Sequence, residues 1–192
     1  MQACRLSATD LACRRGDRLL FARLSFTLES GQALQLAGSN GIGKSSLIRI
    51  LAGLLPAYAG RVEASGAIGL VDERPALDPH QPLGKALALW QQLDGPADNG
   101  IADLGLADLL DVPVRYLSTG QKKRAALARL IGQRAPIWLL DEPLNGLDVN
   151  GVALVETLAA QHCRAGGICV VASHQPLALP TMQRIELRDF AA

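Results

Sequence analysis

The sequence predicts an α/β fold: a mixed, largely parallel sheet core with helices on both faces, an N-terminal antiparallel β part and an inserted helical subdomain. Three observations carry this. The runs Ile137-Trp138-Leu139-Leu140 and Ile168-Cys169-Val170-Val171-Ala172 are short and wholly apolar, the pattern of strands buried on both faces. A helical stretch over 152–163 separates them, as a parallel crossover requires. A glycine-rich loop stands between a strand-like segment and a second helical one.

Taken in order, residues 6–12 and 25–28 carry β-compatible side chains, and Arg15-Gly16-Asp17 punctuates between them. Residues 32–37 alternate polar and apolar up to Gly38. After the glycine-rich loop, residues 45–54 read as a helix, with Gly53 near its end and Pro56 barring continuation. Residues 61–74 read as a strand pair, of which 67–71 is the more buried. From 75 to 114 the pattern turns to short helices broken by Pro and Gly, including a loop over 94–100. Residues 118–131 then make a strong helix, so the inserted helical block spans about 75–130 of a single 1–192 domain.

At 192 residues the chain is long enough for one well-cored domain and short for two. A net charge of +1 gives no broad field for nucleic acid or anionic lipid, and no nucleic-acid partner is expected. The nearest basic run, Lys122-Lys123-Arg124, reads as a solvated first turn of a helix. Cys4, Cys13, Cys163 and Cys169 show neither a C-x-x-C pair nor zinc spacing, and read as reduced cytosolic thiols. The N-terminus lacks the apolar core of a secretory signal, and no window reaches the ~20 apolar residues of a spanning helix, so membrane association is expected through a partner.

Gly38-Ser39-Asn40-Gly41-Ile42-Gly43-Lys44-Ser45 fits G-x-x-x-x-G-K-[ST] between a strand and a helix, and Ser46 continues it. Glycines let the backbone wrap phosphate with its N–H groups inward, and the helix start adds a positive dipole end. Lys44 supplies a point charge for the β- and γ-phosphates, and the Ser45 hydroxyl is a magnesium ligand. A chance glycine turn would not need that strand and helix. The loop alone leaves the class open between kinase, GTPase and repair ATPase.

Asp141-Glu142 directly follows the strand at 137–140, where ligands of open α/β sheets bind. Asp141 is placed to hold magnesium, and Glu142 to polarise an attacking water, general-base work typically worth ~10²–10⁴ in rate. Alone, the pair would read as a solvated acidic turn before Pro143; the phosphate loop upstream weakens that reading. Ser118 and Gln121 have the S-x-x-Q form of a capping box, which by itself says only that a helix is well capped.

Leu117-Ser118-Thr119-Gly120-Gln121 is one substitution from the LSGGQ signature of ABC ATPases, and the Q-x-x-R-x-x-L-A-R pattern after it is also theirs. The run 141–148, ending at Asp148, resembles their Walker B and D-loop, and Val171-Ala172-Ser173-His174 their switch histidine. The resemblance implies a P-loop fold binding ATP and Mg²⁺, with Glu142, His174 and Lys44 catalytic. It also implies that two copies dock head to tail, sandwiching each ATP between the Lys44 loop of one and Ser118, Gly120 and Gln121 of the other. His80 and His162 have no such context and are expected on the surface.

Two positions depart from the family pattern. Residues 12–15 hold no aromatic to stack on adenine, leaving the planes of Arg14 or Arg15. The position of the family's magnesium-contacting glutamine aligns with Glu73, with Arg74 the neighbouring option, and the Glu73 carboxylate can still ligate the metal.

Within the family the chain resembles the branch serving cytochrome c maturation, the haem-exporter ATPases. The stretches 111–118, 135–143, 19–21 and 24–26, Gly166-Gly167 and Ser173-His174-Gln175-Pro176 carry that likeness. It implies integral membrane transporter subunits as partners, a peripheral place on the cytoplasmic face of the bacterial inner membrane, and ATP hydrolysis driving haem delivery. There is no C-x-x-C-H, and direct haem binding is not expected. The alternatives are the ATPase of another small ABC transporter, or a soluble ABC ATPase that moves nothing; 46–116 hold neither the heptads nor the cysteine clusters of repair relatives.

Overall fold

A computed structural model describes residues 3–95, 100–179 and 181–191. Of the loop expected over 94–100, residues 96–99 lie outside the described residues.

Two sheets organise the chain. β1 (Arg5–Arg15) and β2 (Arg18–Glu29) form a long antiparallel hairpin that turns at Gly16-Asp17. β3 (Ala33–Ala37) leaves this sheet and becomes an inner strand of the second, which is wholly parallel among its described pairs. α1 (Lys44–Leu51) follows the glycine-rich loop. β4 (Ala59–Ser65) and β5 (Ile68–Val71) were expected to pair with each other but part company: β4 returns antiparallel to β1, whereas β5 joins the parallel sheet beside β6 (Ile137–Asp141). Their burial explains this, since β4 is almost entirely exposed, as on a sheet edge, and β5 is half buried.

α2 (Leu83–Asp94) and α3 (Thr119–Gln133) pack together between β5 and β6, and α4 (Val149–Arg164) links β6 to β7 (Ile168–Ala172). An element absent from the sequence reading closes the sheet: β8 (Met182–Glu186), parallel to β3. The sheet order is therefore β5-β6-β7-β3-β8.

β6 and β7 are buried at every position, and their alternation splits the interior in two. Ile137, Leu139, Ile168 and Val170 face the antiparallel sheet and α1; Trp138, Leu140, Cys169 and Val171 face α3 and α4. This double burial leaves no polar face on the inner strands, and it puts their carboxyl ends and the loops that follow at one rim.

Two surface expectations fail. His162, on α4, is 5% exposed: its ring stacks on Trp138 at 3.9 Å, and its Nε2 lies 3.1 Å from the Pro136 carbonyl. Desolvation pushes its pKa down to about 4 despite the backbone hydrogen bonds. Lys123, read as part of a solvated basic turn, is 9% exposed and points into the rim.

Candidate functional site

β3, buried along its length, delivers the chain to Gly38, and the loop closes at Gly43, whose φ of 118° starts α1. A Cβ there would meet the Phe21 ring at 3.2 Å and would be strained at that positive φ, so glycine is needed on both counts. α1 has no side-chain N-cap, which leaves its first amides available to an anion, with the helix dipole behind them. The cleft in front measures about 310 Å³ and is lined by Asn40, Gly41, Lys44, Ser45 and Ser46, with Glu73, Glu142 and Asn145 opposite.

Lys44 is buried and donates from Nζ to the carbonyls of Gly38 at 2.8 Å and Ser39 at 3.2 Å. It also pairs with Glu142 Oε1 at 3.2 Å. The Ser45 hydroxyl donates to Asp141 Oδ1 at 3.0 Å. Burial raises the Asp141 pKa, the Ser45 hydrogen bond opposes this, and the nearby Glu142 and Glu73 charges add to the rise. A cation among these carboxylates would reverse that balance. The oxygen donors of Ser45 and Asp141, with Glu73 on the same cleft, suit magnesium by type.

Glu142 is the centre of the arrangement. Its backbone is left-handed, φ 45°, an uncommon state for a non-glycine residue. Its N–H donates to the Ala172 carbonyl on β7 at 2.8 Å, and its own carbonyl accepts from Lys123 Nζ at 2.7 Å. Its second carboxylate oxygen accepts from His174 Nδ1 at 2.9 Å. An ionised carboxylate can only accept, so beside it this contact needs a proton on His174 Nδ1. A carboxylate held between a lysine and a histidine beside a phosphate loop can take a proton from water.

Ser118, Gly120 and Gln121 are elsewhere. Ser118 caps α3: its Oγ accepts from Gln121 N at 3.2 Å, and Gln121 Oε1 accepts from Ser118 N at 2.8 Å, a complete capping box. Ser118 and Gly120 border a second cleft of about 630 Å³ that includes Arg124, Gly146, Asp148 and Asn150. The two clefts meet along 142–148, where Glu142 and Asn145 line the phosphate side and Gly146 to Asp148 the Ser118 side. Asp148, expected to end the stretch resembling the Walker B and D-loop run, caps α4 by accepting from Gly151 N at 2.7 Å.

The remaining candidates separate. His80 is exposed beside Arg115, with Nδ1 3.1 Å from Nη1. Arg14 is held in its own hairpin: Nε donates to Gly16 O at 2.8 Å, and the guanidinium sits 5.4 Å from the centroid of Tyr58, an exposed ring that the sequence reading passed over. Lys123 was also missed as a site residue. Its only sequence signal is its place two residues after Gln121 on a helix whose apolar stripe faces inward.

A phosphate loop at a strand end, a following carboxylate pair and a parallel sheet define a nucleoside-triphosphate-hydrolysing protein. The family description ABC transporter matches residues 21–145, and the chain belongs to that family, as an ATP-binding, ATP-hydrolysing member. It is 60% identical over 190 residues to the cytochrome c biogenesis ATP-binding export protein CcmA of Novosphingobium aromaticivorans, covering 99% of each chain. The protein of the same name from Zymomonas mobilis is 48% identical, with 98% of this chain and 86% of that one covered. Among solved structures, an ABC transporter ATP-binding protein from Pyrococcus furiosus superposes with a TM-score of 0.83 at 23% identity, covering 98% of this chain and 100% of that one. At that identity the likeness bears on the fold alone.

Proposed function

We propose that this chain is the ATPase subunit of a cytochrome c maturation exporter, coupling ATP hydrolysis to integral membrane subunits that it contacts at the cytoplasmic face of the inner membrane. The observation that carries the pathway is the 60% identity with a protein of that name over almost the whole of both chains. We further infer one working domain over 1–192, with 75–130 as its inserted helical subdomain.

In this reading ATP is the substrate. The loop amides of Gly38 to Ser46 and the Lys44 ammonium bind its phosphates. Magnesium, held through Ser45 and Asp141 with Glu73 as a further oxygen donor, would neutralise phosphate charge. Lys44 shares its ammonium between two carbonyls and Glu142, so a phosphate competing for Nζ loosens Glu142 for work on water. Glu142 is then the base, and His174 orients it. Ser118 and Gly120, with Gln121 bonded to Ser118 behind them, open onto a separate cleft, which supports a second copy supplying them across a head-to-tail dimer. No described helix is long and apolar enough to cross a membrane, so the membrane step is assigned to partners. The groove formed by Leu54, Leu70, Pro75 and Arg129 is our candidate surface for them, because it adjoins the 72–74 loop that carries Glu73.

The test is deletion of the gene, followed by staining of membranes for covalently bound haem. Loss of c-type cytochromes is expected, with restoration by the wild-type gene but not by a Lys44→Ala copy. Normal cytochromes would end the maturation reading and leave the ATPase standing.

A further inference from the structure

Lys123 is the one cation that reaches Glu142 from the signature helix. Its Nζ is 2.7 Å from the Glu142 carbonyl oxygen, and the side chain is almost wholly enclosed. The other donor to that carbonyl is Asn145 N–H at 3.4 Å, a weak bond by length. The contact matters because of the backbone it holds. Glu142 sits at φ 45°, a conformation that is strained for a non-glycine residue and persists only where its surroundings enforce it. The enforcement comes from separate elements: β7 through the Ala172 carbonyl, α1 through Lys44, the segment after β7 through His174, and α3 through Lys123.

α3 is a rigid connector. Its capping box fixes Ser118 at the tip, and Lys123 lies five residues on, little more than one turn along the same helix. The tip borders one cleft while Lys123 holds the residue that lines the other. Lys123 also lies beside the 72–75 loop, sharing a small pocket with Asp72, Glu73 and Pro75, so that α3, this loop and the Glu142 backbone carbonyl come together at one lysine.

We propose that Lys123 is a positioning residue for Glu142, and that through α3 it ties each chain's base to whether its own Ser118 tip is engaged by the partner's nucleotide. The inference rests on the two-copy reading above. A shift or rotation of α3 on docking is passed directly to the Glu142 carbonyl, and the two ATP sites of a dimer become coupled through one turn of helix. This residue acts through another and need not touch ATP.

The experiment measures ATP hydrolysis against ATP concentration for wild type, Lys123→Met and Lys123→Arg, with binding of a fluorescent ATP analogue and the unfolding midpoint as controls. For Lys123→Met, kcat is expected to fall about 10- to 100-fold, a part of the general-base contribution. Its KM and analogue affinity should stay within about 2-fold, because Lys44 and the loop are untouched. The Hill coefficient should drop towards 1, and Lys123→Arg, which keeps a charged donor, should recover much of both. Wild-type kcat or an unchanged Hill coefficient in Lys123→Met overturns the proposal, as does a kcat loss matched by lost ATP binding. If Lys123→Met does not fold, Lys123→Arg is read alone: lowered kcat and Hill coefficient at unchanged KM support the proposal, and full wild-type kinetics overturn it. A wild-type protein that hydrolyses ATP without cooperativity speaks against the two-copy reading itself.

Discussion

His174 Nδ1 lies 2.9 Å from Glu142 Oε2, while the other oxygen of the same carboxylate lies 3.2 Å from Lys44 Nζ. The carboxylate is therefore held at both ends, by groups from different elements, one of them on the phosphate loop.

This grip predicts two different losses. Glu142→Gln keeps the shape but removes the basic oxygen, so turnover should fall by about 10²–10⁴ while ATP still binds and a nucleotide-bound dimer accumulates. His174→Ala leaves the base in place but held at the Lys44 end alone, and should cost less, about 10–10² in kcat. Steady-state hydrolysis with size-exclusion chromatography in ATP measures both. A Glu142→Gln protein that turns over near the wild-type rate would remove the base assignment.

Much of this was legible in the chain because each signal is local. The apolar runs at 137–140 and 168–172 fix two adjacent strands, and the glycine loop and Asp141-Glu142 sit where strand ends must put them. The Ser118–Gln121 capping box is a four-residue pattern and forms as written. What escaped depends on contacts between distant residues. β4 and β5 look alike in sequence, yet only tertiary pairing sends one to β1 and the other to β6. Lys123 looks like its neighbours Lys122 and Arg124, and only the packing of α3 against the end of β6 turns it inward. His162 reads as a polar residue near a helix end until Trp138 is found beneath it.

That histidine predicts a pH dependence of stability. Its folded pKa is about 4 against 6.5 for the free side chain, so between these values the unfolded chain binds more protons. The stability it contributes is fully present above pH 6.5 and is lost as pH falls towards 4, on the order of 3 kcal/mol in all. Urea unfolding at pH 7.5, 6.0 and 5.0 measures this. His162→Phe, which keeps a ring against Trp138, should flatten that part of the profile.

Gly167→Ala should be destabilising by about 1–3 kcal/mol, since a Cβ at 167 would drive into the His162 imidazole. The strain is steric rather than conformational, because Gly167 is not among the positive-φ glycines. Pairing Gly167→Ala with His162→Ala should therefore recover part of the loss, a non-additivity that a double-mutant cycle reads directly. Additive effects would mean that the ring is not what the methyl meets.

Lys44 and Ser118 line different clefts of one chain, which makes a subunit-mixing experiment decisive for head-to-tail pairing. Lys44→Ala removes the phosphate charge, and Ser118→Arg blocks the helix tip; as homodimers, each destroys both sites. In a mixed dimer the Lys44 loop of the Ser118→Arg copy faces the intact Ser118 of the Lys44→Ala copy, and one composite site is whole. Mixing the two inactive proteins should therefore restore ATP hydrolysis well above that of either alone, and addition of further Lys44→Ala,Ser118→Arg double mutant should not add to it. If each site were completed within a single chain, no mixture could recover activity, because every chain would carry its own defect.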